Sequence, residues 1–357
     1  MDANPLIGVI FHWLGGLASA SFYVPYRKIR GWSWEIFWLT GGLFSWAIMP
    51  WLVAAIQTRD LTVVLGSAPA GTLFWCWFWG AMWGFGGLTF GLTMRYLGLS
   101  LGMAVALGLT TVIGTLGPPI FRGTLPALAA TSSGQITLLG ILVAVAGIVV
   151  VAAAGRRKER EIPQDGAADG VAEFDLRKGL AIALFSGVMS SCFAFGLDAG
   201  QPIRTLTLAA GTAPLWQGLP VLCVVLLGGL TTNLVWCLIL IARNRTAGEF
   251  VGRPGIAAEG GGSKPPLAIN YSLAALGGSL WYLQFFFYTM GESQMGRFGF
   301  SSWTLHMASI ILFSSAWGFA LREWSRASGG TRRLVLIGIA TLVAATVIIG
   351  LGNFLAT

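Results

Sequence analysis

Ten long apolar segments alternate with short polar loops along the chain. Each segment runs for about 20 residues or more with few charged side chains, the length an α-helix needs to cross a hydrocarbon core of about 30 Å. The pattern therefore predicts an all-α polytopic membrane protein with ten transmembrane helices. The predicted ranges are 5–24, 33–56, 72–94, 99–121, 135–154, 179–199, 213–242, 267–291, 300–321 and 334–355.

The composition supports this class. Of 357 residues, 55% are hydrophobic and only 10% are charged, which excludes an ordinary soluble domain of this length. Many of the 50 glycines fall inside the apolar segments, where small residues let membrane helices approach closely. The four cysteines also lie in predicted helices and have neither disulfide nor metal-ligand spacing. The sequence therefore predicts no metal site and no cofactor.

The distribution of lysine and arginine predicts the orientation. The loops after the first, third, fifth, seventh and ninth segments hold 18 of the 22 basic residues, and the other loops hold the remaining 4. Because basic residues favour the cytoplasmic side, both termini are predicted to be periplasmic. The net charge of +8 is assigned to topology and to contact with anionic lipids of the bilayer, so nucleic acid is not a predicted partner.

The longest polar stretch, residues 156–178, begins with RRKERE and is predicted to be a flexible cytoplasmic linker. It separates a first unit of five helices, 1–155, from a second unit of five, 179–357. Because five is an odd number, the second unit must enter the membrane in the opposite orientation. This arrangement is typical of inverted-repeat transporters, whose substrate site lies between the two units.

Two of the last predicted helices carry polar groups that a lipid-facing helix would not contain. Gln284 shares a helical face with Trp281 and Tyr288, and His306 shares a face of the next helix with Ser302. Unpaired polar groups in hydrocarbon cost several kcal/mol, so these side chains need partners or a wet cavity. One interpretation is hydrogen bonding between helices. The other, which we favour, is a binding site within the membrane.

Both histidines of the sequence, His12 and His306, lie within predicted helices. At a helical rise of 1.5 Å per residue, His12, Gln284 and His306 each lie about 10 Å below the predicted periplasmic surface. Ionisable groups at such a depth are functional by default. The small residues Gly16 and Ser19 follow His12 on the same helical face. This stripe is predicted to leave room for water beside the imidazole.

Two carboxylates are weaker candidates for a functional role. Glu35 begins the second predicted helix on the cytoplasmic side, and Asp198 lies near the periplasmic end of the sixth. We expect Glu35 to form an ion pair with the basic residues that precede it. For Asp198 we predict an ion pair with Arg204, the next charged residue in the chain.

The sequence shows none of the arrangements that chemistry on a substrate requires. A nucleophile beside a base, a phosphate-binding loop and a metal-ligand cluster are all missing at recognisable spacings, which argues against an enzyme. A transporter is favoured. An exporter or exchanger of another small metabolite and a membrane sensor that binds without transport remain as alternatives.

Several long blocks stand out: FHWLGGLASASFYVPYRKIRGWSWE at 11–35, GAMWGFGGLTFGLTMRYLGLSLG at 80–102, GGSLWYLQFFFYTMG at 277–291, SSWTLHM at 301–307 and LREW at 321–324. They resemble the bacterial L-rhamnose–proton symporters of the drug/metabolite transporter superfamily. The resemblance implies ten helices in two inverted five-helix repeats, placed in the inner membrane, that import a 6-deoxyhexose with protons. Residues of interest within the shared blocks are His12, Glu35, Arg95, Gln284 and His306.

A neutral sugar requires hydrogen-bonding side chains for its hydroxyls and aromatic faces for its apolar ring face and methyl group. The predicted contacts of L-rhamnose or a related monosaccharide are Trp13, Trp281, Tyr288, Gln284, Ser302 and His306. An imidazole has a reference pKa of about 6.5, which suits a proton carrier. We predict that His12 carries the proton, with Asp198 and Glu35 as the other candidates for proton coupling.

Overall fold

The architecture is helical throughout the part of the chain that can be described. The computed structural model describes residues 4–97, 99–161, 175–253, 265–322 and 324–355, and within these ranges we find helices and loops but no strand. Ten long helices in these ranges, which we label α1 to α10, follow the order of the predicted segments. They are α1 Pro5–Ser21, α2 Trp34–Gln57, α3 Ala70–Leu97, α4 Leu99–Phe121, α5 Ser132–Glu161, α6 Leu176–Ala199, α7 Leu219–Asn244, α8 Leu267–Ser293, α9 Ser302–Ala320 and α10 Gly329–Phe354.

Length and composition confirm a polytopic membrane protein. Among the described residues, six helical segments are long and apolar enough to cross a membrane, or seven if Leu61–Ser67 and the bent helix after it form one span. The helices α4, α8 and α9 are not among these segments. The number of ten membrane crossings therefore stays a prediction.

Short helical segments fill several connections. They are Tyr23–Tyr26, Leu61–Ser67, Leu125–Ala129, Gln201–Ala209, Pro214–Trp216, Ala247–Val251 and Gly296–Ser301. The segment Gln201–Ala209 matters most for the site, because it carries Arg204 back into the protein, where that side chain is buried.

A wide turn interrupts the middle of α2. Residues Phe44–Ile48 form a π turn, in which the N–H of Met49 donates to the carbonyl of Phe44, five residues earlier. Pro50 provides the physical reason. Proline lacks an N–H, and its ring crowds the carbonyl four residues before it, here that of Trp46. The helix therefore widens by one residue just ahead of Pro50 and then continues to Gln57.

The predicted flexible linker is shorter than the sequence suggested. The helix α5 continues to Glu161, so residues 156–161 are helical. The carboxylate of Glu161 accepts hydrogen bonds of 2.7 Å from the hydroxyls of Ser328 and Thr331 at the start of α10. This contact fastens the end of α5 to α10. At the other end of the predicted linker α6 already begins at Leu176, and residues 162–174 lie outside the described residues.

Helices five positions apart in the order make corresponding contacts. The helix α1 packs against α8 and α9, and α6 packs against α3 and α4. In the same way α2 packs against α8 and α7 against α3, while α4 contacts α5 and α9 contacts α10. If each helix is exchanged for the helix five positions away, the contacts of α5 with α10 and of α2 with α7 stay the same. The main neighbours of the two sets of five helices thus correspond, although the packing of α1 against α10 has no counterpart of similar extent between the described parts of α6 and α5.

Candidate substrate and proton site

A cavity of about 350 Å³ lies among the C-terminal ends of α4, α6 and α8 and the N-terminal end of α9. We call it the vestibule. Its volume falls within the range of about 300–1,000 Å³ that is usual for small-molecule sites. The buried side chains of Tyr288 and Trp303 form its inner end, and the exposed residues Arg122 and Gln201 form its mouth. Its other described lining residues are Gly114, Pro118, Pro119, Thr124, Leu128, Ala194, Asp198, Glu292, Gly296, Gly299 and Phe300.

Two ion pairs border the vestibule. Arg122 contacts Asp198 of α6 through two nitrogen–oxygen distances of 2.7 and 3.1 Å. Arg204 contacts Glu292 of α8 at 2.7 Å. The predicted pair of Asp198 with Arg204 is therefore wrong. The short helix that follows α6 directs Arg204 toward α8. Asp198 therefore pairs with Arg122, which follows α4.

Two imidazole rings and a phenol ring meet behind the vestibule. The ring centroid of Tyr288 lies 5.4 Å from that of His12 and 5.3 Å from that of His306. The two imidazole centroids are 6.3 Å apart, and all three side chains are buried. The histidines of α1 and α9, which the sequence put at similar depth, therefore have neighbouring rings. Because Tyr288 also lines the vestibule, its ring separates both imidazoles from that cavity.

Four buried side chains of α1, α8 and α9 have polar atoms with no hydrogen-bond partner among the residues that the structure describes. We call these residues, His12, Gln284, Ser302 and His306, the polar layer. The unpaired atoms are both ring nitrogens of each histidine, Nε2 of Gln284 and Oγ of Ser302. An unsatisfied buried polar atom costs about 1–3 kcal/mol, so such a cluster needs an explanation other than packing. Hydrogen bonding between the described parts of the helices does not account for these atoms.

The small residues of α1 pack closely against α8 and α9. A methyl group placed on Gly291 would lie 2.7 Å from Nε2 of His12, so the imidazole packs directly on the backbone of α8. The prediction that Gly16 leaves room for water is wrong. Ser309 fills this space and donates a hydrogen bond of 2.8 Å to the carbonyl of His12. The small residues of α1 therefore admit a neighbouring helix.

Two predicted site residues lie apart from the polar layer. Trp13 packs edge-on against Phe313 of α9, with ring centroids 6.3 Å apart, and is not among the described residues that line the vestibule. Glu35 is buried at the opposite end of the bundle. Its carboxylate accepts hydrogen bonds of 3.0 Å from Asn244 and Thr246. The partners found for Glu35 are thus neutral, where the sequence predicted basic neighbours.

A second and much smaller cavity, about 10 Å³, lies between α2, α8 and the segment that follows α1. We call it the aromatic pocket, and it contains the predicted sugar contact Trp281. Trp281 precedes Tyr288 by seven residues, which is about 10 Å along the axis of α8. One face of α8 therefore runs from the vestibule to the aromatic pocket. The described lining residues of the pocket are Phe22, Tyr26, Trp38, Gly42, Ser45, Trp46 and Trp281.

Sequence reasoning missed Trp303. Its Nε1 donates a hydrogen bond of 2.9 Å to the carbonyl of Thr110, which holds α9 against α4. A second bond of 2.7 Å joins the hydroxyls of Thr115 and Thr304 across the same two helices. Trp303 precedes His306 by three residues and so shares its helical face, a signal that the sequence did contain.

Comparison with known proteins shows which family the chain resembles. Residues 1–355 match the family described as L-rhamnose-proton symport protein. The chain belongs to this family. The L-rhamnose-proton symporter of Cronobacter sakazakii is 39% identical over 347 residues, covering 97% of each chain. The proteins of the same name from Klebsiella pneumoniae and Enterobacter sp. are each 38% identical, over 347 and 349 residues, again with 97% of both chains covered. The L-rhamnose-proton symport family consists of transporters, and membership argues against an enzyme.

Proposed function

We propose that this protein imports a neutral 6-deoxyhexose, in the first place L-rhamnose, together with protons. The observation that carries the proposal is the polar layer, whose atoms lack partners in the described part of the chain and lie directly behind the vestibule. A sugar hydroxyl both donates and accepts hydrogen bonds, so it can satisfy imidazole, amide and hydroxyl groups together. The names of the relatives support this sugar and its coupling to protons.

The sugar is bound between the vestibule and the polar layer. The rings of Tyr288 and Trp303 cover its apolar ring face and methyl group. The charges that border the vestibule are already neutralised in pairs, so they do not demand a charged substrate. Trp281 meets the sugar later, further along α8. The side chains proposed to bond its hydroxyls are Gln284, Ser302 and His306.

His12 carries the proton in this proposal. Its ring packs against Gly291, close to the vestibule end of α8, whereas the ring of His306 lies deeper, against Gly15 and the backbone of Gln284. A proton that enters through the vestibule therefore meets His12 first. An imidazole loads and releases protons near neutral pH, with a reference pKa of about 6.5.

Coupling requires that sugar and proton each strengthen the binding of the other. Tyr288 touches both imidazole rings, so a sugar beside Tyr288 and a proton on His12 act on one cluster. The other candidate carriers fit less well. Asp198 is held by Arg122 near the mouth of the vestibule, and Glu35 lies at the opposite end of the bundle.

Transport proceeds by alternating access between two inverted repeats of five helices, 1–155 and 179–357. The corresponding main neighbours of α1–α5 and α6–α10 support this architecture, because an exchange of the repeats carries most contacts of one set into those of the other. The bias of basic loops supports ten crossings of the bacterial inner membrane with periplasmic termini. A hydrogen bond of 3.1 Å from the N–H of Asn4 to Gln294 puts the start of α1 beside the vestibule end of α8. The vestibule then faces the periplasm.

Uptake of labelled sugars into membrane vesicles tests the function. With an acidic outside, vesicles that contain the protein should accumulate L-rhamnose, and adding the sugar should make the medium more alkaline. A panel of labelled sugars, with and without the pH gradient, identifies the substrate. Efflux of a metabolite without sugar-driven alkalinisation would indicate an exporter instead, and binding without movement would indicate a sensor.

Reporter fusions test the orientation. Alkaline phosphatase is active only in the periplasm, so a fusion to the C terminus should be active and a fusion in the predicted linker should be inactive. The opposite result would overturn the orientation and would turn the vestibule toward the cytoplasm.

A further inference from the structure

The aromatic pocket contains more unpaired polar groups than packing explains. Oγ of Ser45 and Nε1 of Trp46 and of Trp281 are buried and find no hydrogen-bond partner within the described ranges of the chain. Ser45 is 1% exposed and Trp46 is 3% exposed. All three side chains line a cavity of about 10 Å³, which is on the scale of one water molecule. Phenylalanine or alanine would fill these positions without leaving polar atoms unsatisfied.

The backbone is specialised at the same place. Ser45 and Trp46 both lie in the π turn Phe44–Ile48. Such turns are frequent at functional sites. Pro50 explains why α2 widens here. It does not explain why two side chains of the widened turn are polar, buried and directed to one cavity.

A continuous series of rings connects the aromatic pocket with the vestibule. Trp46 lines the pocket, and Trp303 lines the vestibule. Between them the ring centroids are separated by 6.3 Å from Trp46 to Trp83, 5.5 Å from Trp83 to Phe285, 4.6 Å from Phe285 to Phe193 and 5.7 Å from Phe193 to Trp303. These rings come from α2, α3, α8, α6 and α9, and so from both sets of five helices. The pocket is the far end of an aromatic path that crosses the centre of the bundle.

We propose that the aromatic pocket is a second sugar-binding station, closed in this conformation, that opens toward the cytoplasm when the vestibule closes. The proposal rests on the proposed function and names where the sugar binds before release. None of the described lining residues is charged, which suits a neutral ligand rich in hydroxyls. Ser45 donates and accepts, the two indole N–H groups donate to hydroxyl oxygens, and the ring of Trp38 covers an apolar sugar face.

Two substitutions on α2 form a matched test. Ser45→Ala removes a hydroxyl that is unpaired among the described atoms. Thr40→Val removes a hydroxyl that is equally inaccessible, at 5% exposed, but already donates a bond of 2.8 Å to the carbonyl of Ile36 in its own helix. The full-length protein is reconstituted in liposomes with a known orientation. The half-saturation concentration for exchange of labelled L-rhamnose is then measured separately at each face.

Ser45→Ala should raise the half-saturation concentration at the cytoplasmic face about tenfold and leave the periplasmic value unchanged, since a lost hydrogen bond in a dry site has about this effect. Thr40→Val should change neither value. Trp281→Phe, which keeps a ring and removes the N–H, should act like Ser45→Ala and serves as the second variant. The unchanged periplasmic value shows that a variant is folded.

Two results would overturn the inference. One is an unchanged cytoplasmic value in both Ser45→Ala and Trp281→Phe, and the other is an equal change at both faces. Failure of the proposed function looks different, because the unmodified protein would then exchange no L-rhamnose at either face.

Discussion

The vestibule and the aromatic pocket are two cavities built from contrasting side chains. The vestibule, of about 350 Å³, is bordered by two arginine–carboxylate pairs, whereas the aromatic pocket, of about 10 Å³, is enclosed mainly by rings. Charged groups are costly to dehydrate, which favours solvent around the more exposed pair, Arg122 and Asp198. Aromatic rings gain dispersion contacts when they close on one another. The contrast gives a bundle that is open at the vestibule and closed around the aromatic pocket, near the middle of α2 and α8.

The largest effect is expected from breaking the buried pair at the vestibule. The side chains of Arg204 and Glu292 are 9% and 16% exposed, and removal of one partner from a buried pair costs about 3–5 kcal/mol. Arg204→Met should therefore strongly lower thermal stability in detergent. Arg122→Met breaks a pair whose side chains are 48% and 29% exposed, and should cost at most about 1 kcal/mol.

A double variant shows how much of the stability lost in Arg204→Met comes from the unpaired carboxylate and how much from lost packing. Combining Arg204→Met with Glu292→Gln leaves no unpaired carboxylate, so most of the lost stability should return. If Arg122→Met and Arg204→Met lowered the melting temperature equally, the two pairs would not differ as their burial indicates.

The next largest effect is expected on the coupling of sugar transport to protons. A potential of 100 mV provides about 2.3 kcal/mol per proton, which corresponds to roughly a 50-fold gradient of a neutral sugar. His12→Gln should abolish this accumulation and the pH dependence of sugar binding, while some downhill exchange remains. Uptake with and without an imposed gradient measures both. If His12→Gln and His12→Asn both still accumulate sugar, His12 is not the carrier, and Asp198→Asn becomes the variant to make.

A smaller effect is expected from the polar layer itself. Gln284→Ala should weaken sugar binding about tenfold, because one hydrogen bond in a dry site contributes about 1–3 kcal/mol. Gln294 provides the matched control, since it lies at the end of the same helix and accepts a bond from Asn4 outside the polar layer. Calorimetry should show normal affinity for Gln294→Ala. Normal affinity for a folded Gln284→Ala variant would remove Gln284 from the site.

The smallest effect is expected at Glu161, which lies away from both cavities, so a change there should leave the cavities unchanged. Hydrogen bonds from Thr331 and from Ser328 lower the pKa of Glu161 from 4.5 to about 2. Because this pKa is lower in the folded than in the unfolded protein, the stabilisation is complete above pH 4.5 and is lost as the pH falls toward 2. Glu161→Gln should reduce this part of the pH dependence of thermal unfolding. Transport at neutral pH should be unaffected, and a large loss of transport would connect the α5–α10 contact to the cycle.

The approximate depth of the two histidines could be predicted because helical rise is constant. Counting residues from the predicted helix ends put His12 and His306 at similar depth, and their ring centroids are 6.3 Å apart. That argument needed no knowledge of which helices are neighbours. Trp303 could have been found by the same reasoning, because it shares the face of His306. Gln284 lies farther along α8, because its backbone faces Gly15 whereas His12 packs on Gly291, seven residues later.

The partners of these side chains could not be predicted, because they depend on contacts between distant parts of the chain. The neighbour of Asp198 in sequence, Arg204, lies on a short helix that turns it toward Glu292. The space beside Gly16 is taken by Ser309, almost three hundred residues later in the sequence. A stripe of small residues looks the same whether a helix or water fills it.

The wide turn of α2 holds one more residue than a regular α-helical turn. If the wide turn shifts along α2 to an adjacent turn, the side chains between its old and new positions rotate by about 100° about the helix axis. They also move by about 1.5 Å along that axis. Nearly every backbone hydrogen bond survives such a shift, which matters in a bilayer, where a broken bond costs several kcal/mol. Ser45 and Trp46 therefore belong to a segment that can rotate about the axis of α2 while the helix keeps its hydrogen bonds. Deleting one residue within Phe44–Ile48 would restore the regular repeat and lock that rotation.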